Sequence, residues 1–242
     1  MARLNTFYLA PEAWPDTGRA SLSAAESAHL FRVLRHKPGD TVRLFDGQGR
    51  YGLFEIVEAS KHETKLASLE VFTHPRPSSP LTLALGWNKS SRRDWLLEKS
   101  VELGATQLLF WQADRSQGTI PAVPKPRWTD RMIQAAKQCG ATWLPTVNTL
   151  NSIDEVIFSA KTYDQCLLLW ESPSATTLLS PDMLAQGKTI AVFGPEGGLE
   201  DKETTQFMTK GFTSVSLGST ILRWETAALH CLSLAHFARQ SG

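Results

Sequence analysis

Apolar and polar residues follow two different rhythms along this chain, and the change comes near residue 75. In the first part, short runs rich in strand-forming residues predict strands over residues 41–45, 51–59 and 65–72. Residues 46–50, with the sequence Asp-Gly-Gln-Gly-Arg, separate the first two runs and predict a hairpin turn. One short helix is expected over residues 23–35. Short strands joined by turns are typical of a small barrel.

The second part alternates continuous apolar runs with longer amphipathic stretches. Such runs are typical of strands buried on both faces, and the stretches between them, several of which stop at glycine, are typical of helices. The pattern predicts strands over 81–87, 106–111, 165–170, 189–193 and 213–216, and helices over 91–103 and 126–139, after Ser152, after Glu200 and up to Arg239. Alternating strands and helices indicate an α/β domain with a mostly parallel sheet.

Prolines mark the boundary between the two parts. Pro75, Pro77 and Pro80 fall within six residues, and such a segment can continue neither a helix nor a central strand. We therefore predict a first domain over residues 1–73, a semi-rigid linker over 74–80 and a second domain over 81–242.

Composition narrows the class of protein. The chain has 25 basic and 24 acidic side chains, so any affinity for nucleic acid has to come from local basic clusters. Residues 1–10 lack the apolar core of a signal peptide, and no apolar run is long enough to span a bilayer. The three cysteines are far apart, and the six histidines show no metal-ligand spacing. We therefore expect a cytoplasmic protein without a membrane span or a bound metal.

Three glycines follow the predicted strand over residues 189–193. The sequence over residues 193–198 is Phe-Gly-Pro-Glu-Gly-Gly. In open α/β sheets, ligands bind just beyond the carboxyl ends of strands, and glycine lets a ligand approach the backbone closely. The spacing matches neither the dinucleotide-binding fingerprint nor a Walker loop. Taken alone, the segment is either a ligand-binding loop or a strand-to-helix turn that requires glycine geometry.

A second segment, Leu217–Leu229, follows the short strand over 213–216 and enters the last helix. It places Arg223 and Glu225 at the helix entrance, beside backbone N–H groups that have no partner within the helix. This pair also has a purely structural interpretation, in which Glu225 compensates the helix dipole and Arg223 is its surface partner.

Together, the two segments resemble the ribosomal RNA small-subunit methyltransferase E family of the SPOUT superfamily. The specific part of the resemblance is the pair Gly194–Gly198 and Leu217–Ala227. Supporting matches occur along nearly the whole chain, at His29-Leu30, Val33–Arg35, Gly39-Asp40, Glu98-Lys99, Glu102–Gly104, Asp114–Ser116, Arg127-Trp128 and Gln138.

The resemblance implies a fold and a reaction. The implied fold is a PUA-like RNA-binding β-barrel followed by an α/β domain with a SPOUT-type trefoil knot, assembled as a homodimer. The implied reaction is methylation of N3 of a uridine in 16S ribosomal RNA, free or within the small subunit, with S-adenosylmethionine as cofactor. Three positions depart from the family's usual pattern: Trp224 stands where threonine is common, and Lys137 and Ala141 stand where glutamate and arginine are usual.

Site residues follow from the resemblance and from the chemistry. Arg223 is the candidate to stabilise negative charge on the uracil oxygens, because a guanidinium is planar, always charged and multiply donating. Glu196 or Glu225 is the candidate to accept the N3 proton, with bulk hydroxide acting through water as the alternative. The predicted cofactor site comprises Leu169, Trp170, Glu171, Phe193, Gly194, Pro195, Glu196, Gly197, Gly198, Leu217, Gly218, Ile221, Leu222 and Thr226. The apolar members of this set have ordinary core packing as their alternative role.

Local basic residues are the candidates for RNA contact, because lysine and arginine position an RNA through its phosphates. These candidates are Arg3, Arg32, Arg35, Lys37, Lys89, Arg92 and Arg93. Each of them could equally belong to a solvated charged face.

Two other functions compete with this interpretation. One is methylation of a ribose 2′-oxygen by a SPOUT enzyme, although the arginine-bearing motif that those enzymes share is not found near the start of the second domain. The other is a non-enzymatic RNA-binding factor for ribosome assembly, which the intact segments at 194–198 and 223–227 disfavour.

Overall fold

The structure is a computed structural model that describes residues 4–15, 18–89, 92–170 and 177–241. These residues form two compact units. The first unit contains residues up to Arg76 together with Ile133–Leu144, and the second contains Pro77–Met132 and residues from Pro145 onward. The first unit is therefore discontinuous in sequence, because a segment from the middle of the chain belongs to it.

The first unit is a five-stranded sheet with a short helical segment after its second strand; it also includes a 3₁₀ turn (Pro11–Ala13) and the end of the helix Pro126–Cys139. Its elements are β1 (Thr6–Tyr8), β2 (Arg19–Leu22), α1 (Ala24–Ala28) with a π-helical turn (His29–Leu34), β3 (Thr41–Phe45), β4 (Arg50–Ala59) and β5 (Thr64–Thr73). The strand order is β1-β3-β4-β5-β2; β1 pairs parallel to β3, and the other pairs are antiparallel. The predicted strands at β3, β4 and β5 are present within one residue at each end, whereas β1 and β2 had not been predicted.

The core of this unit shows that the sheet is curled. Phe7 of β1 and Leu22 of β2 lie at opposite edges of the sheet, yet both belong to one buried cluster with Leu44, Phe54 and Leu66. A flat sheet would keep its edge strands apart, so the sheet wraps around this cluster as a small barrel does. The helix begins as predicted, with the Ser23 hydroxyl accepting a hydrogen bond from the backbone N–H of Glu26.

The segment 133–144 is bonded into the first unit at several points. Lys137 forms an ion pair with Glu26, and both side chains are largely buried. Arg43 donates to the backbone oxygen of Gly140 at 3.2 Å, and the N–H of Gly49 donates to the oxygen of Thr142 at 3.0 Å. Lys137, one of the three departures from the family's pattern, therefore has a carboxylate partner within its own unit.

Lys137→Ala is expected to lower the free energy of unfolding by about 3 kcal/mol, because it leaves a largely buried carboxylate without its cation. The side chain of Glu26 is 16% exposed, and no hydrogen-bond partner is found for its Oε2 among the described residues. Urea denaturation measures the change. The control is Lys65→Ala, which breaks an exposed pair with Glu58 and should change the free energy of unfolding far less than Lys137→Ala does. A Lys137→Ala protein as stable as wild type would contradict this assignment.

The second unit is a six-stranded sheet in which every pair of neighbours is parallel. Its strands are β6 (Leu81–Gly86), β7 (Gln107–Trp111), β8 (Thr146–Leu150), β9 (Gln165–Leu169), β10 (Thr189–Phe193) and β11 (Thr213–Val215), in the order β11-β9-β10-β6-β7-β8. The helices that follow or precede them are α2 (Arg93–Glu102), α3 (Pro126–Cys139), α4 (Ile153–Ala160), α5 (Asp182–Ala185), α6 (Asp201–Thr209) and α7 (Trp224–Ser241). The predicted parallel sheet is confirmed.

Both faces of this sheet are covered, which explains the continuous apolar runs. All residues of β6 and β10, the two central strands, are buried. Val156 of α4 and Phe207 of α6 pack in one cluster with Trp111 of β7. The neighbouring residue Phe110 points to the other face, where its ring lies 5.2 Å from that of Trp128 in α3. No helix among the described residues is long and apolar enough to cross a bilayer.

Candidate functional site

A cavity of about 640 Å³ opens in the second unit beyond the carboxyl ends of β9 and β10. Its walls come from the ends of these two strands, the glycine-rich loop after β10 and the segment that enters α7. The lining residues are Arg92, Arg115, Leu169, Trp170, Phe193, Gly194, Pro195, Glu196, Gly198, Leu199, Ile221, Leu222, Arg223, Trp224, Glu225 and Ala227. This is the edge of a parallel sheet where ligands bind, and the volume suits a small organic molecule.

Glycine allows the loop after β10 to lie directly against β6. A Cβ atom on Gly86, the last residue of β6, would lie 2.6 Å from the carbonyl carbon of Gly194 and closer still to the nitrogen of Pro195. Gly198 has a φ of +76°, in the left-handed region that favours glycine. The loop therefore has a fixed path that brings its backbone to the wall of the cavity.

Arg115, which follows β7, holds the far end of this loop. Its Nε–H donates to Glu200 at 2.7 Å, and its guanidinium also donates to the backbone oxygen of Gly197 at 3.3 Å. The hydrogen bond to Glu200 raises the pKa of Arg115 above its ordinary value. Glu200 in turn caps α6 in a reciprocal capping box with Glu203. The loop is thus fastened at one end by close packing and at the other by an ion pair.

Two arginines and a glutamate surround the entrance of α7. Glu225 is 4% exposed and lies in the first turn of the helix, where it forms an ion pair with Arg92. Arg223 is exposed and lines the cavity. Among the described residues, no carboxylate pairs with the Arg223 guanidinium. The structural interpretation in which Glu225 is the partner of Arg223 is therefore wrong, because Arg92 occupies that role.

The structure brings most of the predicted cofactor residues together at the cavity. Leu169, Trp170, Phe193, Gly194, Pro195, Glu196, Gly198, Ile221 and Leu222 all line it. Gly197, Leu217, Gly218 and Thr226 are not among its lining residues, and Glu171 lies outside the described residues. Gly197 faces Arg115 instead, since a Cβ atom there would lie 3.1 Å from the Cβ of Arg115.

Several lining residues had not been predicted. Arg115 lies in the supporting match Asp114–Ser116 and Leu199 directly follows the glycines of the first segment, but neither was among the predicted cofactor residues. Trp224 was identified only as a departure from the family's pattern. Trp224 is 6% exposed, and its Nε1 has no hydrogen-bond partner among the described residues. The available signals for Arg115 were its place in the match Asp114–Ser116 and its position just beyond β7, at the same edge of the sheet.

The candidates for RNA contact fall into different environments. Arg32, Arg35 and Lys37 are exposed on the first unit, around the end of its helical segment. Lys89 is exposed on the second unit, and Arg92 lines the cavity. Arg3 lies outside the described residues. The first three therefore form one exposed basic cluster on the first unit.

Arg93 is in the interior, and its predicted contact with RNA is wrong. The residue is only 6% exposed, and its guanidinium carbon lies 3.8 Å from the centre of the Trp87 ring. Phe110 and Trp128 surround it further, and it donates to the backbone oxygen of Asn88. Burial lowers the pKa of Arg93. Three aromatic rings and the backbone oxygen of Asn88 enclose this arginine, so it is not available to a phosphate.

The chemistry of the cavity suits an organic ligand with both apolar and charged parts. Leu169, Phe193 and Leu222 offer apolar walls, and Arg92, Arg115 and Arg223 offer three guanidinium groups. Across the described residues, no group of three or more His, Cys, Asp or Glu side chains is arranged to hold a metal ion.

Comparison with known proteins gives matches along both units. Residues 74–236 match the RNA methyltransferase domain family, and residues 22–66 match the RNA methyltransferase PUA domain family. Ribosomal RNA small subunit methyltransferase E of Bacillus subtilis is 28% identical over 225 residues, which cover 88% of each chain.

Two solved structures are similar over almost their whole length. The ribosomal RNA small subunit methyltransferase E of Neisseria gonorrhoeae, bound to S-adenosylmethionine, has a TM-score of 0.81 and 29% identity and covers 96% of both chains. A methyltransferase of Legionella pneumophila, solved in complex with the same cofactor, has a TM-score of 0.84 and 28% identity and covers 98% of both chains.

Proposed function

We propose that this chain, which belongs to the RNA methyltransferase family, methylates N3 of a uridine in 16S ribosomal RNA with S-adenosylmethionine as the methyl donor. The family resemblance inferred from the sequence is confirmed, as is the fold class of a PUA-like domain followed by an α/β methyltransferase domain. The observation that carries the proposal is the cavity itself, where the glycine-rich loop and the Arg223 segment meet at the carboxyl ends of β9 and β10.

The cavity fits the cofactor in shape and in chemistry. The close packing of Gly86 on Gly194 and Pro195 fixes a backbone cradle whose N–H and C=O groups a nucleoside can bond. Leu169, Phe193 and Leu222 are candidates to sandwich the adenine ring. When bound, S-adenosylmethionine supplies a methyl group that is already activated by a positively charged sulfur, so no metal is required.

The protein must also help the uridine lose its N3 proton and must stabilise the negative charge that results. N3 of uracil carries a proton and is a poor nucleophile until that proton leaves, after which negative charge spreads to the ring oxygens. Arg223, exposed at the cavity and without a carboxylate partner among the described residues, is suited to stabilise that charge. Glu196 is exposed at the same cavity, and we assign it the role of proton acceptor. Glu225 is engaged by Arg92, so its role is to position that arginine.

Transfer of a radiolabelled methyl group tests the proposal in its simplest form. Purified protein is expected to label 16S ribosomal RNA or small subunits in the presence of S-adenosylmethionine, and not 23S RNA. Calorimetry with the cofactor alone separates this function from a non-enzymatic assembly factor, which would bind RNA but not the cofactor.

The triple variant Arg32→Ala, Arg35→Ala, Lys37→Ala is expected to weaken RNA binding and to reduce its salt dependence. These exposed side chains on the PUA-like unit are placed to contact phosphates. Each lost phosphate contact should lower the slope of log affinity against log salt by about 0.7–0.9. Binding titrations at several salt concentrations measure this slope, and cofactor affinity should not change. A slope equal to that of wild type would remove this cluster from the RNA interface.

We further propose the knot and the homodimer that the resemblance implies, and the cytoplasmic location that the scattered cysteines suit. The strand order supports a crossed connection, because β11 lies beside β9 although β10 precedes it in sequence. Trp95 on α2 and Phe237 on α7 are 40% and 62% exposed, which suits a surface that a second subunit covers. The domain limits 1–73 and 81–242 remain predictions, and limited proteolysis within residues 74–80 would test them. Sedimentation of the purified protein tests the dimer.

A further inference from the structure

Three aromatic rings lie side by side on the first unit, and a fourth aromatic residue is hydrogen-bonded to the backbone of one of them. Tyr51 of β4 and Phe72 of β5 are cross-strand neighbours whose ring centres are 5.2 Å apart and whose planes differ by 25°. The centre of the His74 ring lies 4.5 Å from that of Tyr51. Trp143 joins them, because its Nε1–H donates to the backbone oxygen of His74 at 3.1 Å. We refer to Tyr51, Phe72, His74 and Trp143 as the aromatic row.

Positive charge accompanies the aromatic row. The guanidinium carbon of Arg43 lies 4.9 Å from the centre of the Tyr51 ring, and that of Arg76 lies 4.9 Å from Trp143. Arg76 and His74 are exposed, and 43% of Phe72 is open to solvent. The surface therefore presents π faces and cations together, in a place where neither is required for a hydrophobic core.

The backbone holds this arrangement rigidly. Gly49 has a φ of +97°, and a Cβ atom there would lie 2.6 Å from the Trp143 ring, so only glycine lets this ring approach the hairpin. The N–H of His74 donates to the oxygen of Gly49 at 2.9 Å, and the His74 ring bonds to the Thr142 hydroxyl at 3.0 Å. A surface fixed in this way loses little conformational freedom when a ligand binds.

We propose that the aromatic row binds an unpaired nucleobase of the RNA substrate by stacking, with Arg76 contacting a neighbouring phosphate. The inference rests on the proposed function, since it takes RNA as the substrate. Every base has a π face, and proteins that bind single strands combine aromatic platforms with arginine in this way. A base within a duplex is already stacked on its neighbours, so the aromatic row distinguishes unpaired from paired RNA.

Fluorescence anisotropy with the full-length protein tests this site, using a labelled single-stranded oligouridine and an RNA duplex of equal length. Phe72→Ala is expected to lower affinity for the single strand about tenfold, as stacking losses of this kind do. Duplex affinity should stay within twofold of wild type. Phe72→Trp should restore single-strand binding, because it restores the π face. Val71→Ala is the matched control, since this exposed apolar neighbour points to the other face of the strand.

Arg76→Ala is the second variant, because it removes an exposed cation and no packed ring. It should weaken single-strand binding severalfold. The proposal would be overturned if Phe72→Ala and Arg76→Ala both bound the single-stranded RNA as tightly as wild type does. It would also be overturned if the variants lost affinity equally for single-stranded and duplex RNA, or if Phe72→Trp did not restore affinity for the single strand. A wild-type protein that transfers no methyl group to 16S RNA would overturn the proposed function instead, and the contrast between single strand and duplex would still report on the aromatic row.

Discussion

Arg223→Ala is expected to lower the single-turnover rate of methyl transfer about a hundredfold or more, while cofactor affinity stays within a few fold of wild type. The guanidinium is exposed at the cavity, and among the described residues no carboxylate pairs with it. Its charge is therefore available to the uracil ring as negative charge develops there. Loss of one preorganised donor at such a position typically costs about a hundredfold to a thousandfold in rate.

Two further variants test whether the effect comes from the charge of residue 223, from the geometry of its donors, or from any nearby cation. Arg223→Lys should recover only part of the rate, because lysine keeps the charge but not the planar pair of donors. Lys202→Ala removes a cation that is 75% exposed and not part of the cavity lining, and it should leave the rate unchanged. Rates are measured with saturating cofactor and RNA on folded preparations. An Arg223→Ala rate within a few fold of wild type, or a loss confined to the melting temperature, would contradict the assignment.

Gly86→Ala is expected to weaken S-adenosylmethionine binding about a hundredfold or more. The added methyl group would collide with the backbone of Gly194 and Pro195, which has no flexible side chain to move aside. The loop would have to leave β6, and the cavity would lose the backbone wall that the cofactor is proposed to contact. Calorimetry measures the affinity, and the thermal unfolding midpoint of the same sample reports on the strand.

Gly197→Ala is the matched control for Gly86→Ala. Its new methyl group would meet the Cβ and the backbone oxygen of Arg115 at 3.1 and 3.2 Å, so Arg115 has to move by only a few tenths of an ångström, far less than Gly86→Ala demands of Pro195. Cofactor affinity should therefore fall by less than about tenfold, a loss of less than about 1.4 kcal/mol. If Gly86→Ala binds the cofactor as wild type does, the loop is not the cradle that we describe.

The pattern of apolar residues and glycines along the sequence was enough to locate the parallel sheet and most of the residues that line the cavity. Strand Thr189–Phe193 is buried throughout and almost entirely apolar because helices cover both faces of the sheet, and Gly194 and Pro195 mark where it ends. The carboxyl ends of parallel strands share one edge, so the glycine-rich loop and the Leu217–Leu229 segment could be expected to meet there. The knot and the uridine target came from the family resemblance alone.

Features that depend on packing between distant segments could not be predicted in this way. Arg92 and Glu225 are 133 residues apart in sequence, so nothing local identified their ion pair. The sequence around Arg93 predicts a surface cation next to Arg92. In the fold, however, three aromatic rings from separate parts of the second unit enclose it. Residues 133–139 continue a regular helix, and only the contacts of segment 133–144 with residues such as Glu26 and Gly49 place it in the first unit.

Nucleoside mass spectrometry of 16S ribosomal RNA tests the central claim most directly. RNA from a strain without this protein is incubated with the purified protein and S-adenosylmethionine, digested to nucleosides and compared with an untreated sample. The account predicts that 3-methyluridine forms only in the treated sample, and that Arg223→Ala forms far less of it in the same time. A 2′-O-methylated nucleoside in its place, or no newly methylated nucleoside at all, would contradict the account.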